Sequence, residues 1–149
     1  MQADFLKQLI PLLGVTRRGI YLETNGTLHR ELGKIIDLVD IIAMDIKLPG
    51  TSGAGQLWEL HSEFIKVAVS KRVFVKNVVD NGTSSQEIVR SAKLISEIND
   101  KVTLVLQPVT IEGCCGIDAR KLYELQDIAM GLLKDVRVIP QTHVMMSML

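Results

Sequence analysis

The chain has 149 residues, with 17 Lys+Arg against 17 Asp+Glu. Zero net charge excludes a nucleic-acid binder that works by bulk positive charge, and 4% aromatic residues are too few for a base-stacking platform. With 47% hydrophobic and 23% charged residues the composition is globular rather than disordered, and a chain of this length buries roughly 68–70% of its unfolded surface, enough for one core. The mean hydropathy of +0.24 suits a large core or an apolar surface facing a partner.

The predicted elements alternate. Phe5, Leu6, Leu9, Ile10, Leu12 and Leu13 recur at helical spacing, with Pro11 bending or ending the helix and Gly14 following it. Residues 19–23 read as a short strand, and Leu28, Leu32, Ile35 and Ile36 as a second helix. Val39–Ile46 is an apolar run broken only by Asp40 and Asp45, the pattern of a strand covered on both faces. Pro49 to Gly55 reads as a loop. Leu57, Leu60, Phe64, Ile65 and Ala68 form the next helix, and Val73–Val79 the third strand. Ser84-Ser85-Gln86-Glu87 is a capping box opening a helix through Ile88, Ala92 and Ile95. Val102–Val109 is a fourth strand, and a loop holding Gly113, Cys114, Cys115 and Gly116 follows. Asp118 then caps a helix through Leu122, Leu125, Ala129 and Leu132, and Val136–Ile139 is a fifth strand. The alternation predicts one α/β domain with a parallel sheet and right-handed crossovers, an open sheet or part of a barrel. Its opening helix has no strand before it, so the chain is expected to start in mid-fold.

Ligands of parallel α/β folds gather at the carboxyl ends of the strands. Here those ends carry Glu23-Thr24-Asn25-Gly26, Asp45-Ile46-Lys47, Lys76-Asn77 running to Asp80, Gln107-Pro108 and, after the fifth strand, Gln141-Thr142-His143. Asp45 and Lys47 are two apart and project from one face; they form either a structural ion pair or an anchor for a polar ligand. Lys76, in mid-strand, needs a carboxylate or a ligand, with Glu23 and Asp45 the natural partners. The Glu23–Gly26 segment reads as a turn in which Asn25-Gly26 takes positive φ and Thr27 caps the next helix, or as a carboxylate placed for an amine or a cation; the two are compatible. His29 and His61 fall on helices, facing solvent or packing. Adjacent Cys114 and Cys115 lack metal-ligand spacing and read as free loop thiols. The apolar tail, 144–149, is expected to pack against a core or a subunit. No P-loop, G-x-G-x-x-G, G-x-S-x-G or H-E-x-x-H pattern occurs. No signal peptide and no apolar run of the ~18 residues that a membrane helix needs is seen, which sets a cytoplasmic protein with reduced thiols as the expectation.

Several segments together resemble a known group. Glu23-Thr24-Asn25-Gly26-Thr27-Leu28 followed by Met44-Asp45-Ile46-Lys47-Leu48-Pro49 is similar to the radical S-adenosylmethionine superfamily. Leu57-Trp58-Glu59, Phe74-Val75-Lys76, Leu106-Gln107-Pro108-Val109 and Arg137-Val138-Ile139-Pro140-Gln141-Thr142-His143 narrow the resemblance to its 7-carboxy-7-deazaguanine synthase branch, over Phe5 to His143. It implies the C-terminal portion of a partial (β/α) barrel with about five parallel strands, a single incomplete domain without the N-terminal cluster-binding part. Such enzymes convert 6-carboxytetrahydropterin to a 7-deazapurine, on the route to queuosine, using S-adenosylmethionine, a 4Fe–4S cluster and magnesium. The resemblance places Glu23, Thr24, Asn25, Asp45 and Lys47 at the cofactor, and Lys76, Gln107 and His143 at the substrate. The C-x-x-x-C-x-x-C motif that holds the cluster, and the GGEP-type motif that meets the cofactor's amino group, are both absent from this chain. No catalytic or metal-ligating residue is therefore assigned, and the chain alone is expected to be inactive. Its expected partners are a small-molecule substrate and a second copy of itself, with no nucleic acid and no membrane. Two other readings are a glycyl-radical-enzyme activase and a non-catalytic remnant that dimerises through an exposed sheet edge.

Overall fold

The computed structural model describes residues 2–13, 19–53, 55 and 57–146. Gly14 and residues 147–149 of the apolar tail lie outside the described residues.

The chain opens with α1 (Ala3–Leu12), then β1 (Tyr21–Thr24), α2 (His29–Ile35) with a 3-10 turn over Ile36–Leu38, and β2 (Ile41–Asp45). Next come α3 (Pro49–Ser52), α4 (Trp58–Ala68), β3 (Arg72–Val79), α5 (Ser85–Asn99) and β4 (Thr103–Pro108). The last part holds β5 (Thr110–Ile111), β6 (Cys114–Cys115), α6 (Ala119–Met130), β7 (Val136–Val138) and α7 (Thr142–Met145). The expected five-stranded parallel sheet is present, in the order β1-β2-β3-β4-β7. Each strand lies beside the one before it in the chain, as in a portion of a (β/α) barrel.

This order decides where the helices go. Right-handed crossovers that always advance in one direction place every crossing helix on the same face. The helices accordingly touch in succession, α1 on α2, α2 on α4, α4 on α5 and α5 on α6. Each carries its apolar stripe at helical spacing: Phe64, Ile65 and Ala68 on α4, Ile88, Ala92 and Ile95 on α5, Leu122, Leu125 and Ala129 on α6. These meet Ile42, Met44, Val75, Val79, Leu104 and Leu106, all fully buried. Phe64 is the largest side chain at the centre, and truncating it to alanine costs about 3–5 kcal/mol.

Alternate residues point the other way. Tyr21, Glu23, Ala43, Asp45, Phe74, Lys76, Thr103, Val105, Gln107 and Arg137 lie in matching register on the face without helices. Ala43 and Val105 are covered by their neighbours, whereas Tyr21 and Arg137 are exposed.

Local structure departs from expectation in four places. The first helix exposes Phe5, Leu12 and Leu13, because α1 rests chiefly on α2 and the 3-10 turn rather than on the sheet. The run Val39–Ile46 is strand only over Ile41–Asp45. The 49–55 loop contains the one-turn helix α3, entered by Pro49 at a position where its missing N–H costs nothing and closed by Gly53 at φ +64°. The segment around the cysteines is a hairpin, β5 against β6, turned by Glu112 at φ +50° and Gly113 at φ +78°. Positive φ at both central positions gives the turn a twist that matches the strands.

Candidate functional site

Four charged side chains join across the helix-free face at the carboxyl ends of β1, β2 and β3. Lys76 stands directly beside Asp45 in register, and Glu23 lies one strand further out. The Lys76 ammonium donates to Glu23 Oε1 and lies 3.1 Å from Asp45 Oδ1. The other Asp45 oxygen accepts from Lys47 Nζ at 3.0 Å. The charges thus alternate along the strip as Glu23, Lys76, Asp45, Lys47. Lys76 is only 13% exposed at its side chain, and Glu23 is 61% exposed. Burial alone would lower the Lys76 pKa, yet its bonds to Glu23 and Asp45 outweigh that and hold it above the ordinary lysine value. The ammonium stays charged, as a buried cation must when flanked by two carboxylates. Both partners expected for Lys76 are the ones it has.

The strip is open to exchange. Glu23 presents a carboxylate to solvent, and Lys47 is partly exposed beyond the strand end. Tyr21, one pleat below Glu23 on the same face, has its phenol pushed up by burial and by the Glu23 charge. A ligand carrying both an ammonium and a carboxylate finds a complement for each at the two ends of the strip.

The remaining predicted residues are placed as follows. Thr24 and Asn25 act within their own turn: Thr24 Oγ1 accepts from the Gly26 N–H at 3.3 Å, and Asn25 Oδ1 accepts from the Thr27 hydroxyl at 2.9 Å. Thr27 therefore closes the turn and does not cap α2, whose N-cap is Leu28 without a side-chain bond. Gln107 shares the helix-free face, half-buried, in register with Val78 one pleat above Lys76. His143 is exposed on α7. Nearby Gln141 ties this segment back to the start of β5, accepting from the Thr110 N–H at 2.8 Å. The structure brings together Glu23, Asp45, Lys47 and Lys76; among the described residues, Gln107 and His143 make no hydrogen bond or ion pair to that group.

Three polar residues behind the rim make contacts that were not foreseen. Asn77 is fully buried on the opposite side of β3 from Lys76, where its amide donates to the Ile46 carbonyl at 3.1 Å and its carbonyl accepts from the Ser91 hydroxyl at 2.8 Å. Glu87 completes the capping box of α5 and also accepts from the Gly50 N–H at 2.7 Å, fastening the segment after Lys47 to that helix. His61 on α4 is 1% exposed, with Nδ1 3.1 Å from the Gly26 carbonyl. Its spacing with Phe64, Ile65 and Ala68 was the available signal, since a residue in phase with an apolar stripe shares its burial.

An iron–sulfur cluster does not fit the residues present. The sequence has two cysteines, both exposed on β6, and adjacent strand residues project to opposite faces. Among the described residues no three His, Cys, Asp or Glu side chains are grouped to hold a metal ion. A concavity of about 460 Å³ lies at the other, amino end of the sheet, lined by Arg72, Phe74, Thr103, Val105 and Arg137 among others. None of the four residues of the charged strip lines it. No helix among the described residues is long and apolar enough to cross a membrane.

No family model matches the chain. Over 150 aligned residues, and along all of its length, it is 45% identical to the 7-carboxy-7-deazaguanine synthase of Geobacter sulfurreducens. The likeness read from the motifs is borne out. The chain spans 60% of that relative's length.

Proposed function

We propose that this relative of the 7-carboxy-7-deazaguanine synthases is a single α/β domain that binds and orients ligands for such a synthase, and that it does not itself generate the radical. The observation that carries the reading is the strip Glu23–Lys76–Asp45–Lys47 at the carboxyl ends of three adjacent strands. In this reading S-adenosylmethionine is the ligand of the strip. Its amino-acid end is a zwitterion; the exposed Glu23 carboxylate takes the ammonium and Lys47 the carboxylate. Asp45, held between two lysines, accepts from ribose hydroxyls. Gln107 and His143, further along the rim, serve the substrate, a carboxylated pterin. Thr24 and Asn25 shape the turn that presents Glu23.

The radical chemistry of the family needs a 4Fe–4S cluster held by three thiolates and the cofactor. The two cysteines here cannot supply that set, so the thiolates would come from outside these 149 residues.

Isothermal titration of the chain with S-adenosylmethionine, with the Glu23→Gln and Lys47→Met variants alongside, tests the reading. Saturable binding that each substitution weakens about tenfold is expected. Absence of binding, or variants that bind like the unaltered chain, overturns it. Anaerobic incubation with iron, sulfide and reductant should give no 5′-deoxyadenosine; its appearance would refute the non-catalytic assignment.

A further inference from the structure

The turn that presents Glu23 is clamped from two sides. Beneath it lies Met44, fully buried in β2. Gly26 adopts φ +64°, and a Cβ there would stand 2.6 Å from Met44 Cγ and closer still to its Cε, so the backbone rests directly on that side chain. Glycine is required on both counts, conformation and space. From above comes His61, reaching from α4 across 35 residues of chain to the Gly26 carbonyl.

The chemistry of that contact determines the state of the imidazole. A carbonyl oxygen only accepts, so Nδ1 must carry the proton. The other nitrogen, Nε2, is buried and has no partner among the described residues. A proton on Nε2 would leave a charged ring with an unsatisfied donor in the core, a costly state. Burial accordingly pushes the His61 pKa below its ordinary value, against the opposing pull of the Gly26 carbonyl. The ring is neutral with one defined tautomer, and its hydrogen bond has one target.

We infer that His61 is a positioning residue of the rim: as the neutral Nδ1–H tautomer it holds the Gly26 carbonyl, and so fixes the Glu23–Gly26 turn in the orientation the ligand meets. The part concerning the ligand rests on the function proposed above; the part concerning the turn stands without it. His61 touches no ligand itself and acts through the backbone. The buried stripe of α4 supplies the rigidity, since Phe64 and Ile65 lock the helix to the sheet one turn away.

The test compares the unaltered chain with His61→Asn, which keeps a donor near the Nδ1 position, and His61→Leu, which removes it. Nitrogen NMR of the unaltered chain should show Nδ1 protonated and Nε2 bare; the reverse overturns the inference whatever the variants do. Amide exchange at Gly26 and Thr27 should quicken about tenfold in the leucine variant, with Leu104 and Leu106 in β4 unchanged, and return to within about threefold in the asparagine variant. Equal exchange in all three proteins, or no rescue by asparagine, overturns it. Titration with S-adenosylmethionine should follow the same order, with affinity lost in the leucine variant and regained in the asparagine variant. A loosened turn with unchanged affinity overturns the positioning role. If the unaltered chain takes up none of this ligand, the proposed function fails, and the exchange and tautomer measurements alone decide the role of His61 in the turn.

Discussion

Lys76 and Asn77 are consecutive residues of one strand, and each ties several parts of the molecule together with polar bonds. They do so on opposite faces. Asn77 lies under α5 and makes a neutral, closed set: the Ile46 carbonyl and the Ser91 hydroxyl satisfy it, and water has no access. Lys76 lies on the face without helices and makes a charged set that ends in the exposed Glu23 carboxylate. A closed neutral set can only hold the fold, because any exchange of partners leaves a buried group unsatisfied. An open charged set can trade one partner for a ligand at small cost, because solvent screens what is left. A polar side chain that can only hold the fold and one that can exchange a partner are thus distinguished by which face of the sheet they occupy.

Asn77→Ala is the sharpest way to break this contrast. It strands the Ser91 hydroxyl and the Ile46 carbonyl and opens a small void, so a loss of about 3 kcal/mol in urea unfolding is expected. Lys76→Met comes next. It releases an exposed Glu23, and Asp45 keeps Lys47, so the loss should be about 1–2 kcal/mol, with a larger effect on ligand affinity than Asn77→Ala has. If the two substitutions cost the same stability, the distinction between the faces fails. The pH dependence has a defined sign. A lysine whose pKa is raised on folding contributes fully below about 10.5, and that contribution fades only as pH climbs through the higher folded value. Unfolding profiles of the unaltered chain and Lys76→Met should run parallel from pH 6 to 9 and converge in stronger alkali.

The sheet and its crossing helices were legible because strand runs and helix stripes have different periods, and the two never conflicted between Ile41 and Met130. The charged strip was legible for a related reason. A lysine inside Val73–Val79 and an aspartate inside Val39–Ile46 are conspicuous in apolar runs, and parallel register puts them side by side. What escaped was anything set by tertiary geometry alone. His61 stood open between solvent and packing; its phase with Phe64 and Ile65 marks the buried side of α4, but its bond to Gly26 depends on the fold. Asn77, one position beyond Lys76, shows its role only when α5 brings Ser91 over it. The cysteine hairpin was hidden because its turn places a glutamate, not a glycine or asparagine, at the first positive φ.

Glu87 sits between the two kinds of network and gives a smaller effect. It caps α5 and holds Gly50, so Glu87→Ala removes bonds to the Gly50 and Ser84 N–H groups, at a cost of about 1 kcal/mol. Burial raises its pKa, but those backbone donors outweigh it and leave the carboxyl below the ordinary 4.5. For a carboxylate lowered on folding, the contribution is present above that value and lost as pH falls through the folded one. The stability gap between the unaltered chain and the variant should therefore hold at neutral pH and close in acid. A gap that persists at low pH would mean that Glu87 acts through packing rather than charge.

The smallest effect is expected at the two cysteines, and it bears on what the rim can do by itself. Both thiols are exposed on the hairpin, and the nearest polar contact, Cys115 Sγ to the Ile117 carbonyl at 3.7 Å, is a weak one. Replacing either by serine should change stability by less than about 0.5 kcal/mol, and anaerobic iron and sulfide should leave every form colourless. A cluster forming on the unaltered chain but not on Cys114→Ser or Cys115→Ser would require thiolates from at least two copies meeting across the hairpins, since one copy offers only two diverging sulfurs. That outcome would move redox chemistry onto the β5–β6 hairpin and away from the strip. A colourless protein that still binds S-adenosylmethionine would leave the strip as a binding surface whose electron source lies elsewhere.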